Sequence, residues 1–402
     1  MLKGKKVLLG VTASIAAYKT AELVRLFKKS GASVRVIQTE ASLDFVAPLT
    51  LATLSENPVL TKMVDPDSGE WSNHVELGLW ADIMVIAPLT ANTMAKMKAG
   101  ECDNLLLATY LSAKCPVYFA PAMDLDMYKH PSSIESLNKL QSFDNILIPA
   151  TSGELASGLI GEGRMAEPED IVSFIEKDIS SKLPLKGKKV LVTAGPTYEA
   201  IDPVRFIGNH SSGKMGFAIA SAAANLGAEV FLISGPSNQQ IKHSLVHRVD
   251  VVSAEEMYDA SHMYFKEVDI AILSAAVADY KPKNSASEKI KKTDTALELS
   301  LSPTKDILAS LGVIKKQQYL VGFALETNNE IENAKGKLKR KNLDAIILNS
   351  LKDKGAGFAK DTNKITFIDK EFNEKAFKLK SKVAVAKDIM NEIINRIKKQ
   401  DE

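Results

Sequence analysis

Leu2-Lys3-Gly4-Lys5-Lys6-Val7-Leu8-Leu9 returns in the second half of the chain as Leu185-Lys186-Gly187-Lys188-Lys189-Val190-Leu191-Val192. Each copy is a charged lead-in feeding an apolar run of the kind a parallel sheet buries on both faces. It reads as the opening of a domain written twice, although the echo is too short to prove duplication. Ser180-Ser181-Lys182-Leu183-Pro184, just before the second copy, has linker character. The boundary goes there, near Ser181, which gives halves of 1–180 and 185–402.

Working outward from the echo, short β-rich runs alternate with helical periodicity. In the first half strands are expected at Lys6–Val11, Ser33–Gln38, Asp82–Ala87, Pro116–Ala120 and Ile146–Pro149. Helices are expected at Ser14–Lys29, Thr90–Lys98, Asn104–Ser112 and Pro131–Gln141. In the second half strands are expected at Val190–Thr193, Glu229–Ile233, Asp269–Leu273, Tyr319–Phe323 and Ala345–Leu348, with a final pair near Ile365–Ile368 and a lysine-rich C-terminal helix. This pattern predicts an α/β chain of two doubly wound parallel-sheet domains. Such sheets bind ligands at the carboxyl ends of their strands, so functional residues should follow the strands directly.

Composition fits a globular protein of two or three domains at about 150 residues each. Of 402 residues, 45% are hydrophobic and 25% charged, so disorder is excluded. A net charge of +2 carries no polyanion signal, and the lysine run Lys335–Lys341 reads as a solvated helix face rather than a nucleic-acid surface. The two cysteines, Cys102 and Cys115, have neither zinc-ligand nor disulfide-framework spacing and suit a reducing cytosol. No run of about 18 apolar residues occurs, so no membrane span is expected.

In the first half, Gly10-Val11-Thr12-Ala13-Ser14-Ile15-Ala16-Ala17 is a small-residue turn opening a helix, where free N–H groups can hold a phosphate. It lacks GxGxxG, which argues against a nicotinamide oxidoreductase and suits a mononucleotide better. Thr or Ser at a helix start is nevertheless more often a plain N-cap. A second turn follows at Ala87-Pro88-Leu89-Thr90-Ala91-Asn92. Pro121-Ala122-Met123-Asp124-Leu125-Asp126-Met127-Tyr128 comes after the fourth strand. Ser152–Met165 carries Gly153, Gly158, Gly161 and Gly163, as a mobile lid would, with Arg164 its one cation. His74 is a lone histidine, structural more often than catalytic.

Taken together, VTASIAAYK, NHVELGLWADIMVIAPLTANTMAK, PAMDLDMY and GELASGLIGEGRM resemble the flavin-dependent cysteine decarboxylases. More narrowly they are similar to the decarboxylase half of the bacterial bifunctional phosphopantothenoylcysteine decarboxylase/phosphopantothenate–cysteine ligases. The resemblance implies a flavodoxin-like domain in which FMN oxidises the substrate thiol to a thioaldehyde, easing loss of carbon dioxide, and then reduces the resulting enethiol. It implies FMN contacts at Gly10, Thr12, Ser14, Ile15, Thr39, Pro88, Leu89, Thr90 and Asn92. His74 becomes the base, and Met123 and Arg164 line the substrate pocket. Two positions depart from the family pattern. Asp124 stands where the family has Asn, and an ionised aspartate cannot donate to a carboxylate; the expectation is a protonated Asp124. Ser157 stands where a cysteine commonly donates the proton. A hydroxyl is a weaker acid than a thiol of pKa near about 8.5.

In the second half, Gly208-Asn209-His210-Ser211-Ser212-Gly213-Lys214-Met215 satisfies a Walker A loop except at Met215, which cannot ligate magnesium. It reads as a false P-loop whose helix still suits an anion. Ser274-Ala275-Ala276-Val277-Ala278-Asp279-Tyr280 ends a strand with residues small enough for close ligand approach, and Phe323 ends another. Lys337 and Lys341 share one helix face. The order TAGPTYE, DPVRFIGNHSSGKMG, AAVADY, EKIKK and GFALETNN resembles the ligase half of the same enzymes. The resemblance implies a Rossmann-like domain that activates 4′-phosphopantothenate with CTP and magnesium for attack by cysteine. Asn209 and Lys289 would handle the acyl-cytidylate. Ser274, Ala275, Ala276, Asp279, Lys289, Lys305, Asp306, Ile307, Leu308, Phe323, Lys337 and Lys341 would surround CTP, with Lys305 replacing a customary proline. The implied partners are small molecules, phosphopantothenoylcysteine among them, plus further copies of the chain: trimers through the flavin halves and dimers through the ligase halves. A flavin half kept only for assembly is the rival reading, motivated by Asp124 and Ser157.

Overall fold

The computed structural model describes all residues except 65–68, 70, 156, 293–296, 327, 351–359 and 402, and except the side chains of 350, 400 and 401. Ala156 of the glycine-rich segment and Thr327 of the GFALETNN motif thus lie outside the described residues. The chain divides into two compact units, Met1–Ser181 and Lys182–Glu402.

The echo opens both units in the same way. Gly4 and Gly187 turn at φ +77° and +80°, a conformation costly for any side-chain-bearing residue. The turns close through Lys5 N–H to Leu2 O (3.0 Å) and Lys188 N–H to Leu185 O (3.0 Å). Leu2 and Leu185 are buried. Lys6 N–H donates to the Asp82 carboxylate at 2.9 Å, and Lys189 N–H donates to that of Asp269 at 2.8 Å. In each case an acidic residue before a neighbouring strand registers the first strand.

The first unit holds a six-stranded parallel sheet of β1 (Lys6–Val11), β2 (Ser33–Gln38), β3 (Val59–Leu60), β4 (Ile83–Leu89), β5 (Val117–Pro121) and β6 (Ile146–Leu147). The order is β3-β2-β1-β4-β5-β6, which without the two-residue β3 is the flavodoxin-like arrangement. Leu23, Val24 and Phe27 with Ile171 and Ile175 pack one face; Met94, Met97, Leu105–Leu107, Leu137 and Leu140 pack the other. The helix expected over Ser14–Lys29 instead opens as a 3-10 turn, Ile15–Lys19, before an α-helix from Thr20 to Lys29.

The glycine-rich segment, expected as a loop, is an antiparallel hairpin of β7 (Thr151–Glu154) and β8 (Ile160–Arg164). Gly161 and Gly163 serve close contact with the chain itself. Gly163, at φ +139°, leaves a Cβ position only 2.5 Å from Met123 O, and Met123 N–H donates to Gly163 O at 3.0 Å.

The second unit has an eight-stranded sheet. Its first two main strands, β9 (Lys189–Ala194) and β12 (Glu229–Ser234), flank a short hairpin of β10 (Tyr198–Ala200) and β11 (Phe206–Gly208). Next come β13 (Val246–Asp250), β14 (Ile270–Leu273), the hairpin β15 (Tyr280–Pro282) and β16 (Leu301–Pro303), β17 (Tyr319–Glu326) and β18 (Ala345–Ser350). The short β19 (Thr362–Asn363) leads to β20 (Ile365–Asp369) and β21 (Glu374–Ala376). The order is β13-β12-β9-β14-β17-β18-β20-β21, parallel through β18 and antiparallel beyond. Helices Lys214–Asn225 and Lys382–Asp401 pack one face; Ala254–Phe265, Ile307–Ile314 and Glu330–Arg340 pack the other.

Gly163→Ala is expected to destabilise the docked hairpin by about 1–3 kcal/mol, from a side chain forced both into positive φ and against a carbonyl. The first unit should melt earlier and be cleaved faster within residues 151–164. Unchanged melting and proteolysis would contradict the tight approach.

Candidate active sites

In the first unit the sheet order reverses between β1 and β4, and the chain leaving each strand meets the other there. Thr12, fully buried, donates its hydroxyl to Pro88 O at 2.7 Å and accepts from Thr90 N–H at 3.1 Å. Thr39 N–H donates to Val11 O at 3.0 Å, and Ser14 Oγ accepts from Ala16 N–H. Thr90 in turn caps the helix Ala91–Ala99 on which Asn92 sits. Gly10 and Leu89 face inward: a Cβ on Gly10 would lie 2.5 Å from Leu106 Cδ1, and Leu89 is wholly buried. They shape the floor of the crevice through packing rather than by offering polar contacts.

Beside these turns lies a cavity of about 480 Å³ whose walls include Ser14, Ile15, Met123, Asp124 and Arg164. Asp124 caps the helix Leu125–Lys129, its Oδ1 accepting from Leu125 N–H at 2.6 Å, so one carboxylate oxygen is spent on its own backbone. Sequence reasoning missed Lys19. It is 7% exposed, lines the same cavity, and donates to Glu167 Oε1 at 2.8 Å and to Met165 O at 3.4 Å. Arg164 donates to the same Glu167 oxygen at 2.9 Å. The hydrogen bond from Lys19, reinforced by Arg164, holds the Glu167 carboxyl below its usual range. One carboxylate therefore spaces two cations along the cavity wall.

His74 and Ser157 are placed elsewhere. Neither is among the cavity-lining residues. His74 begins the helix His74–Trp80 against the edge of Trp71, and its Nδ1 is buried with no hydrogen-bond partner. Ser157 is exposed in the turn of the β7–β8 hairpin, where Leu155 N–H donates to Leu159 O.

The second unit repeats the reversal between β9 and β14. Thr193 O accepts from Ser274 Oγ at 2.7 Å, and Thr193 Oγ1 accepts from Ala275 N–H at 3.2 Å. A cavity of about 670 Å³ opens over this point. It gathers Asn209, Ala275, Ala276, Asp279, Lys305–Leu308, Phe323, Lys337 and Lys341 from five separated segments. Asn209 Nδ2 donates to Ala276 O and Val277 O (3.1 and 3.2 Å), tying the loop before the helix Lys214–Asn225 to the turn after β14. Lys341 pairs with Asp306 at 2.7 Å, and Lys337 donates to Phe323 O at 2.8 Å. Burial, then the neighbouring Lys341 charge, holds Lys337 below the ordinary lysine range. Burial raises Asp306, but Lys341 and the Ala309 N–H outweigh it and leave the carboxyl low. Lys305 reaches the cavity but pairs with Glu255 at 3.3 Å.

Two expected residues fall outside this lining. Ser274 turns its hydroxyl back to Thr193 O. Lys289 is exposed, next to Ile290, whose backbone is held by Asp202 (3.2 Å) and Arg205 (2.7 Å). Conversely, Ser211–Gly216, set aside as a P-loop, do line the cavity, as do Asn349, Asn363 and Lys382. Among the described residues no group of three or more His, Cys, Asp or Glu could hold a metal ion, and no helix is long and apolar enough to cross a membrane.

Fold and cavities define a two-site, doubly wound α/β protein with cation-bearing crevices at the carboxyl rim of each sheet. A family model described as Flavoprotein matches residues 1–180, and one described as DNA/pantothenate metabolism flavoprotein C-terminal domain matches residues 185–397. A cysteine/cysteine sulfinic acid decarboxylase from an unknown prokaryotic organism is 55% identical over 88% of this chain and 99% of its own. The coenzyme A biosynthesis bifunctional protein CoaBC of Bacillus subtilis (strain 168) is 43% identical over 98% of this chain and 97% of its own. That of Haemophilus influenzae is 44% identical over 99% of each. The chain belongs to the family of the coenzyme A biosynthesis bifunctional proteins, to which it is similar along both halves.

Thr12→Val leaves Pro88 O and Thr90 N–H without their shared partner in a buried turn, at about 1–3 kcal/mol for each lost contact. The variant is expected to purify with less bound flavin than wild type, and Thr12→Ser to retain it. Equal flavin absorbance in all three would show that the stitch does not shape the site.

Proposed function

We propose that the second unit joins 4′-phosphopantothenate to cysteine at the expense of CTP, and that the first decarboxylates the phosphopantothenoylcysteine so formed to 4′-phosphopantetheine. The observation that carries the reading is the larger cavity, where five distant segments deliver an amide, an aromatic ring, two carboxylates and paired lysines to one rim. In the ligase step the acid's carboxylate displaces pyrophosphate from the nucleotide's α-phosphorus. The amine of cysteine then displaces CMP from the acyl carbon. Lys337 and Lys341 offset triphosphate charge, Phe323 offers a face to the base, and Asn209 steadies the acyl end. Magnesium arrives with the triphosphate. Of the two carboxylates in the lining Asp306 is committed to Lys341, which leaves Asp279 to approach the ion.

The residues of the first crevice fit FMN: the stitched Thr12–Pro88–Thr90 floor, with Ser14 and Ile15 lining the cavity beside it. FMN, when bound, supplies a two-electron acceptor for the substrate thiol and returns the pair after carbon dioxide has left. Arg164 and Lys19 suit the anionic substrate, and Asp124 lines the same cavity. His74, outside its own protomer's cavity, would act from a neighbouring copy. Exposed Ile15, Tyr18, Leu49, Trp71 and Leu79 support such an assembly, trimeric through this unit and dimeric through the other. Free Cys102 and Cys115 support work in the cytosol.

The 55% identical relative favours a second reading, in which the flavin unit acts on cysteine-type amino acids themselves. Supplying phosphopantothenate, cysteine, CTP and magnesium to the pure protein separates the readings. Pyrophosphate and carbon dioxide are expected in equal amounts, with phosphopantetheine as the final thiol. A product two hydrogens short would mean that Ser157 does not support reduction. Carbon dioxide from cysteine or cysteine sulfinate without CTP would establish the second reading, and pyrophosphate alone would leave a flavin unit kept for assembly.

Lys337 must be charged to meet the triphosphate, and in the free protein it loses its proton below the ordinary lysine range. Above neutrality the KM for CTP should be flat at first. It should then climb as pH passes through that depressed value. Lys337→Gln should show a raised KM without the climb. A rise confined to the ordinary range, near about pH 10.4, would contradict the assignment.

A further inference from the structure

The smaller cavity carries charge of both signs. Among the described residues its charged lining is Lys19, Arg164, Asp124 and Glu154. Lys19 and Arg164 also share Glu167, which is not itself in the lining, at 2.8 and 2.9 Å. The two cations are thus matched by at least as many carboxylates, and the wall has no surplus positive charge. A ligand carrying both signs can pair with each half of such a wall. One that is anionic throughout pairs with the cations alone and leaves the carboxylates facing it.

Asp124 is the best-defined centre of the negative half. It is half-buried, its Oδ1 accepts from Leu125 N–H at 2.6 Å, and no described residue donates to its Oδ2. Capping does not explain the charge, because Asn caps a helix as well as Asp does. The β7–β8 hairpin presses on this same turn. Met123 N–H donates to Gly163 O at 3.0 Å, and a Cβ on Gly163 would lie 3.6 Å from the Asp124 carbonyl carbon. Arg164 is the next residue, so the docking that fixes Gly163 sets this cation beside the turn that carries Asp124.

The chemistry of nitrogen separates the guests. In phosphopantothenoylcysteine the cysteine nitrogen is an uncharged amide, and every charged group is an anion. In free cysteine the nitrogen is an ammonium on the carbon that bears the carboxylate. A carboxylate oxygen is an acceptor for that ammonium, in a charge-assisted bond.

We propose that Asp124 receives the α-ammonium of a free amino acid while Lys19 and Arg164 receive its carboxylate, so that this cavity selects unacylated cysteine-type thiols. The inference rests on the second reading of the flavin unit and gives that reading its selectivity residue. Met123 and Met165 supply apolar lining for a short thiol side chain. In the reaction the bond from the α-carbon to the carboxyl carbon breaks. Carbon dioxide leaves, and a proton takes its place with no net change in electrons.

The test uses the full chain loaded with FMN and two ligands that lack a thiol, L-2-aminobutyrate and its N-acetyl derivative, compared by calorimetry. Wild type should bind the free amino acid about 10- to 100-fold more tightly than the acetylated one, as a charge-assisted bond implies. Asp124→Asn, which can keep the cap, should abolish that preference. Lys19→Gln should weaken both ligands, since both carry the carboxylate. Carbon dioxide release should follow the same order, cysteine leading N-acetylcysteine in wild type and losing that lead in Asp124→Asn. The proposal is overturned if wild type binds neither ligand, or binds the acetylated one as well as the free one. It is also overturned if Asp124→Asn keeps the preference. If the binding preference holds but cysteine yields no carbon dioxide, the second reading of the flavin unit fails and the assignment of Asp124 stands.

Discussion

Everything functional in this molecule depends on one constraint of parallel sheets, the crevice left where neighbouring strands send their chains to opposite faces. It occurs twice, between β1 and β4 and between β9 and β14. In both places a threonine hydroxyl crosses the gap. Thr12 Oγ1 joins Pro88 O and Thr90 N–H, and Thr193 Oγ1 receives Ala275 N–H while its carbonyl receives Ser274 Oγ. Backbone groups at a sheet's end would otherwise be buried without partners, at about 1–3 kcal/mol each. The stitches fix the floor of each crevice.

Charge then distinguishes the two crevices. The smaller holds Lys19 and Arg164 about a single shared carboxylate, Glu167, a wall suited to a substrate with one compact anionic group. The larger holds lysines on two sides, with Asp306 and Asp361 each tied to one of them. In both crevices a cation is held beside a carboxylate.

Much of this was legible in the sequence. The repeated LKGKKVLL opening marked both first strands because its glycine, its lysines and its apolar run each have a fixed structural duty. Most buried parallel strands fall within a residue or two of their expected bounds, Tyr319–Glu326 running three residues further than expected, since unbroken Val, Ile and Leu runs have few other uses. What escaped lacked such a signature. Strand Val246–Asp250 carries histidine, arginine and aspartate and reads as a loop; the short hairpins are below the length at which periodicity shows. Lys19 looks like any helical lysine until the 3-10 turn at Ile15–Lys19 aims it at Glu167. The Walker-like loop, read as a false P-loop because of Met215, reaches the cavity with its helix start. Ser274 and Lys289 matched their motif, but local bonds commit the serine hydroxyl and the backbone beside the lysine.

If ligands do gather at those two rims, hydrogen–deuterium exchange of the intact protein with and without CTP and magnesium should reveal it directly. Protection is predicted in peptides spanning 209–216, 275–280, 305–308 and 337–341, with residues 1–180 unchanged. Protection concentrated at the amino ends of the second sheet's strands, or in the first unit, would contradict the account.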